Sequence, residues 1–435
     1  MKIYKLFSCF IFLLHSFCLV NAQNDSINKS SSISIHQLNN TLVNVLVEDR
    51  FSPPVASRIQ AYCNLAYYEV LNANHPTKSF STLLPNYHCN DFLSNIDSNN
   101  DLAATIAFIL VATDLTFSTN EWNELTNKLQ SNSNDSLRFN QCKIQYEIWL
   151  QSYLKWTKED GFKQRLSKEI YTLSASYKDY KLTPPAYKPA LESHWGELRP
   201  FLIQNKNEFS THKNFEMDTS ISSSFYKLNQ QVYQEQLNQD SSHIKIAYHW
   251  DCNPIQVKTI SHARLYNFRM TPASHWISIT ANILQQEKIN TSQSAYIYTV
   301  MSLAMADAFI SCWSDKYQYN SIRPITYINS YMDEEWNSLI ETPNFPEYPS
   351  GHSLVSSCAA SILSHFLGKN YTFTDYSQLK YGQSSRTYHS FYEAAKEAGM
   401  SRFYGGIHYI PSIDDGYNEG LIIGKYVCGK IKKIK

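Results

Sequence analysis

The chain has 435 residues, of which 43% are hydrophobic, 14% aromatic and only 17% charged. That apolar share supplies a large packed core and excludes a disordered chain. Lys+Arg and Asp+Glu stand equal at 38 each, so no net field exists to grip a nucleic-acid backbone. Ten of the twelve glycines lie from Gly351 onward. A β-rich fold needs turn glycines throughout, so the first 350 residues read as helical. Special backbone geometry, and with it the chemistry, is expected in the last quarter.

At the N-terminus, Lys2 and Lys5 precede an apolar stretch from Leu6 to Val20, and Val20-Asn21-Ala22 precedes a cleavage point. Residues 1–22 read as a signal peptide, too short and too broken by His15 and Ser16 to anchor the chain. The mature protein is expected to start near Gln23 and to be periplasmic or secreted. It keeps seven cysteines, Cys63, Cys89, Cys142, Cys252, Cys312, Cys358 and Cys428, with no CxxC pair. Their odd count and irregular spacing exclude a zinc cluster or a dense disulfide scaffold and leave room for one or two bridges.

Residues 23–35 are rich in Asn and Ser and read as a flexible leader. Ile59, Tyr62, Leu65 and Ala66 then share one face of a helix running to about Leu71. Leu102 to Ala112 is nearly all apolar, the length of a buried core helix. Ile148 to Trp156 closes a long amphipathic stretch that Gly161 terminates. Residues 181–201, rich in proline and aromatics, link an N-terminal helical region (23–200) to a C-terminal one (201–435) within one continuous body. Helices are predicted to begin at Pro272, Pro324 and Ser350. Ala295 to Ile310 is a further buried helix, and Asp307 inside it reads as the partner of a buried donor. No alternating strand pattern of useful length is visible. No mature segment reaches the roughly 20 apolar residues of a membrane span.

Three short segments carry chemistry. Lys316 and Arg323 stand seven apart ahead of Pro324; Pro349-Ser350-Gly351-His352 follows Phe345-Pro346-Glu347-Tyr348; Ser401-Arg402 precedes His408 and Asp414. Three cations from separate segments suit a multiply charged tetrahedral oxyanion, arginine with forked donors and lysine with a point charge. Ser350 and Gly351 sit at the start of an apolar helical run, where free amides and the helix dipole attract an anion. His408 is placed to bond the central atom, with Asp414 holding its other ring nitrogen. His352, in the anion-binding turn, is placed to pass protons. His249 and His275 show no metal-binding spacing and read as structural.

The ordered set K-x6-RP, PSGH and SR-x5-H resembles the superfamily shared by vanadium-dependent haloperoxidases and type 2 phosphatidic acid phosphatases. Looser similarity to its soluble bacterial branch covers Phe51 to Arg58, Pro184 to Phe201 and Met270 to Trp276. Trp313 ahead of Lys316, and the FPxYPSGH form of the second motif, look most like bacterial iodoperoxidases. The resemblance implies an all-α fold of packed helical bundles. It implies that Lys316, Arg323, Arg402, Ser350 and the Gly351 amide hold the equatorial oxygens of vanadate or phosphate. By the same likeness His408 is the axial ligand to vanadium or the nucleophile of a phosphatase, His352 the acid–base, and Trp313 a wall of the pocket. Many members place an aspartate four residues after the last histidine. This chain has Ser412 there, so Asp414 or Asp415 is expected to serve instead.

One pocket of this kind serves two chemistries, because trigonal-bipyramidal vanadate resembles the transition state of phosphoryl transfer. The preferred reading is an exported haloperoxidase with vanadate as cofactor, oxidising iodide or bromide with hydrogen peroxide to hypohalous acid. The alternative is an acid phosphatase hydrolysing phosphate monoesters through a phosphohistidine at His408. A non-catalytic oxyanion binder suits a chain that has lost a key residue, and here none is lost.

Overall fold

A computed structural model describes residues 33–89, 100–131, 133–238, 240–260 and 263–432. The signal peptide expected over residues 1–22 lies outside the described residues. The fold is all-α, with thirteen α-helices among the described residues. The first five are α1 (Ile35–Glu48), α2 (Pro53–Leu71), α3 (Asn100–Leu115), α4 (Asn120–Gln130) and α5 (Ser133–Lys158). Then come α6 (Ser224–Asn238), α7 (Ser241–His249), α8 (Pro272–Gln286), α9 (Thr291–Tyr319) and α10 (Pro324–Tyr331). The last three are α11 (Gly351–Leu367), α12 (Phe391–Tyr404) and α13 (Ile410–Ile431). Order begins earlier than the predicted leader allows: Ile33 is buried, and Ser34 caps α1 by accepting the Gln37 N–H.

Helix starts follow their local chemistry. Thr271 caps α8 just ahead of Pro272, whose missing N–H costs nothing in the first turn. Asn290 caps α9, which ends where Asn320 turns left-handed at φ 47°. α9 is the central element, packed against α2, α8, α11 and α13, and it is buried almost throughout from Ser294 to Lys316. It runs 29 residues, longer than the predicted Ala295–Ile310 helix. Its length and mean hydropathy of 1.4 would suffice to cross a membrane, but 94% of that apolar window is buried inside the protein. A helix that is apolar all round is satisfied equally by a protein interior.

One apolar core runs from Ile33 to Ile431 and draws side chains from both the N- and C-terminal regions. Asp307 of α9 is buried within it, accepting the backbone N–H groups of Phe201, Leu202 and Ile203 at 2.6, 2.6 and 2.9 Å. Its carboxylate thereby pins the Pro-rich link to the central helix, the structural role expected of it. α11 and α13 approach closely because position 420 is glycine. A Cβ there would run into the Leu354 carbonyl, and overpacking of that kind costs about 1–3 kcal/mol.

Four short strands depart from the sequence expectation. β1 (Ile255–Ile260) pairs antiparallel with β2 (Ala263–Phe268), and β3 (Phe373–Asp375) with β4 (Arg386–Tyr388). Runs of six and three residues are too short for a two-residue period to stand out from a helix fragment. The seven cysteines expected in the mature chain are all free and buried, so the one or two bridges allowed by the sequence do not form among them.

Candidate active site

The three motifs converge on a cavity of about 190 Å³ whose lining includes Trp313, Gly351, His352, Arg402 and His408. Lys316 lies in the last turn of α9, Arg323 immediately precedes α10, and Ser350 caps α11. Arg402 lies in the last turn of α12, and His408 in the turn before α13. That turn is made by Gly405 and Gly406, and Gly406 takes φ +78°, a conformation side chains rarely adopt.

His408 is fixed on both ring nitrogens. Its Nδ1 meets Glu347 Oε1 at 2.7 Å, and its Nε2 meets Arg323 Nη1 at 3.2 Å. A carboxylate can only accept and a guanidinium can only donate, so the proton sits on Nδ1 and the lone pair on Nε2. Burial first, then the charges of Arg323, Lys316 and Arg402, hold the imidazole well below its ordinary pKa and keep it neutral.

The carboxylate behind His408 is therefore Glu347, and the expectation for Asp414 is corrected. Asp414 is exposed on α13 just past its first turn, and Asp415 instead accepts the Tyr348 hydroxyl at 3.0 Å. Glu347 is fully buried and also accepts the Tyr409 N–H at 3.1 Å and the Ser412 hydroxyl at 2.7 Å. Ser412, four residues after His408, donates to this carboxylate, 65 positions upstream. The signal was present in the sequence, because Glu347 lies inside the second motif two residues before Pro349. A search forward from His408 does not reach it.

The cations are held from behind. Lys316 Nζ donates to the carbonyls of Pro346, Glu347 and Pro349 at 3.0, 3.0 and 2.6 Å, which uses all three of its hydrogens. Its direct work is to hold the loop that delivers Ser350. Toward an anion it acts through charge, although burial lowers its pKa to about 8. Arg323 donates Nε to Phe345 O at 2.9 Å and Nη1 to Ile407 O at 2.8 Å, while Nη2 is buried without a partner. Arg402 donates Nη2 to the carbonyls of Ala247 and Trp250 at 3.2 and 2.8 Å. Trp313 contributes a wall, its Nε1 donating to Leu191 O at 3.2 Å. Asp251, absent from the sequence-level site, is buried in the same lining and lies in the field of Arg402 and Arg269.

His352 contrasts with His408. Its Nε2 is buried with no partner, and burial, then Arg402 and His275, hold its pKa well below the ordinary value. Buried polar atoms rarely stay unpaired, so the orphans Arg323 Nη2 and His352 Nε2 mark where a ligand's oxygens belong. An unpaired guanidinium donor, several cations and the lone pairs of two neutral imidazoles together fit a tetrahedral oxyanion.

Comparison with known proteins agrees with this geometry. Residues 296–435 match the family described as the VCPO second helical-bundle domain. The structure of the first bacterial vanadium-dependent iodoperoxidase is 33% identical, with 90% of this chain and 95% of that one covered at a TM-score of 0.81. A holo-type bacterial vanadium-dependent chloroperoxidase is 13% identical over 88% of this chain and 95% of its own, with a TM-score of 0.64, a likeness of fold. Phosphatidylglycerophosphatase B of Bacillus subtilis (strain 168) is 30% identical over 88 residues, 20% of this chain. The chain spans 40% of the length of that curated relative. With a third of its residues shared across nearly the whole iodoperoxidase and the three motifs gathered at one cavity, the chain belongs to the vanadium-dependent haloperoxidase family of enzymes.

Proposed function

We propose that this protein is an exported vanadate-dependent peroxidase that oxidises iodide: H2O2 + I⁻ + H⁺ gives HOI + H2O. The observation that carries the reading is His408, a neutral imidazole with its Nε2 lone pair fixed by Arg323, in a site that also holds the unpaired Arg323 Nη2 donor and the unpaired His352 Nε2. The identity to an iodoperoxidase over nearly its whole length supports the choice of halide. Export rests on the sequence of residues 1–22.

Bound vanadate would supply a Lewis-acidic centre that activates hydrogen peroxide toward the halide. Arg323, Arg402, Ser350 and the Gly351 amide would hold its oxygens, Lys316 would add charge from beneath, and His408 Nε2 would bond the metal. Glu347 keeps His408 in the required tautomer. His352 is neutral, and its free Nε2 can take a proton from incoming peroxide and return it to the departing oxygen. The apolar walls of Trp313, Phe345 and Phe309 thin the water around a weakly hydrated anion and strengthen each charge in the cavity.

The match to a phosphatase keeps one other reading in view, hydrolysis of a phosphate ester with His408 as nucleophile. One experiment separates them: purified protein is reconstituted with orthovanadate and assayed for iodide oxidation and for aryl phosphate hydrolysis. We expect vanadate to activate iodide oxidation and inorganic phosphate to suppress it. Phosphate-ester hydrolysis that vanadate inhibits, with no iodide oxidation, would replace this reading.

A further inference from the structure

We propose that Asp375, on β3 and outside the three motifs, is the positioning residue that sets Arg402 and His352 through the C-terminus of α7. The proposal rests on the reading of the cavity as an oxyanion site. Arg402 reaches back to the carbonyls of Ala247 and Trp250, and the Trp250 carbonyl also lies in hydrogen-bonding reach of the His352 imidazole. These are the unpaired last carbonyls of a helix, carrying the negative end of its dipole, so they suit a guanidinium and an imidazole N–H. Both cavity-facing groups thus depend on where α7 ends.

α7 does not fix its own end. It is nine residues long and buries only Ala247 and His249, whereas short helices in water are marginal without tertiary support. Beyond its end Trp250 packs in the core and donates Nε1 to Glu397 at 3.0 Å, and His249 adds a polar anchor. His249 Nε2 and His275 Nε2 both donate to Asp375 Oδ2, at 3.0 and 2.7 Å, while Oδ1 accepts the Ser377 N–H at 2.8 Å. His249 has no other hydrogen bond, since its Nδ1 is buried without a partner. On the far side of Trp250, Cys252 Sγ lies 3.6 Å from His275 Nδ1, and the Trp250 ring packs against His275 at 4.5 Å, tilted by 34°. The segment 249–252 is therefore attached at both flanks to one carboxylate and its imidazole. His249, His275 and Asp375 side chains are at most 2% exposed, so water does not compete for these bonds.

The arrangement demands a carboxylate. Three N–H donors converge on two oxygens, so an asparagine at 375 must set its own NH2 against one of them. Burial opposes the charge of His275, yet Asp375 raises its pKa to about 10, so the two carry opposite charges.

The test measures orthovanadate affinity of the full-length protein by equilibrium dialysis, with near-UV circular dichroism as the check on folding. Asp375→Asn and His249→Leu are each expected to weaken binding by about 10- to 100-fold, the usual cost of losing a group that orients a ligand-holding one. His249→Gln is expected to restore most of the loss, because the glutamine amide offers an N–H where His249 Nε2 donates. Should Asp375→Asn fail to fold, the His249→Leu and His249→Gln pair decides. Folded His249→Leu with unchanged affinity, or His249→Gln as weak as His249→Leu, would overturn the positioning role alone. Absence of orthovanadate binding in the unmodified protein would overturn the oxyanion reading and this proposal with it.

Discussion

On the wall formed by α10, α13 and the loop around Glu347, most polar groups are committed: His408 on both nitrogens, Glu347 to three donors, Lys316 to three carbonyls, while Arg323 keeps Nη2 free. On the wall formed by α7, α8, α11 and α12, the support is equally dense but lies behind the surface, and His352 keeps Nε2 free. A group that must hold an atom needs its tautomer and direction fixed, whereas a group that must pass a proton needs one nitrogen uncommitted. The two walls meet these needs separately, from residues of the same types.

Substitutions on the two walls should then fail differently. The largest effect is expected for His352→Ala, whose turnover should fall about 100- to 10,000-fold in a steady-state iodide assay while vanadate affinity changes little. On the committed wall, Glu347→Ala should weaken vanadate binding about 10- to 100-fold, because the His408 tautomer is no longer enforced. Asp414→Asn should stay within about twofold in the same titration, as expected of an exposed residue without a role. Equal losses for the two would return the orienting role to Asp414.

A smaller effect, on stability, comes from a pair behind the committed wall. Asp315 and Glu419 are buried carboxyls, each raised first by burial, and Asp315 Oδ2 and Glu419 Oε2 have no hydrogen-bond partner. Burial foremost raises Asp315 to about 6 and Glu419 well above its ordinary value. Folded pKa values above the unfolded ones mean the folded state binds the proton more tightly, so this stability is present at low pH and lost as pH rises through the folded values. Between about pH 5 and about pH 8 the melting temperature should therefore fall less in Glu419→Gln than in the unmodified protein. An identical fall in both would show that the pair does not titrate with unfolding.

Much of this was legible in the sequence. The three motifs located Lys316, Arg323, Arg402 and both histidines, though not Arg50 and Lys188 of the same lining, and Pro272, Pro324 and Ser350 marked three helix starts because cap and first-turn chemistry is local. What escaped was non-local. Glu347 acts on a residue 61 positions away, and Asp375 on residues 126 and 100 positions away. No spacing rule links them, since only the packed helices bring them together. Lys316 is the instructive middle case: its position was readable, but its three carbonyl partners were not.

The two walls differ above all in which histidine holds the oxyanion, and one comparison tests that most directly. Orthovanadate dissociation constants are measured side by side for folded His408→Ala and His352→Ala. Saturable binding should disappear in His408→Ala and persist in His352→Ala. If His352→Ala loses the oxyanion while His408→Ala keeps it, the roles assigned to the two walls are reversed.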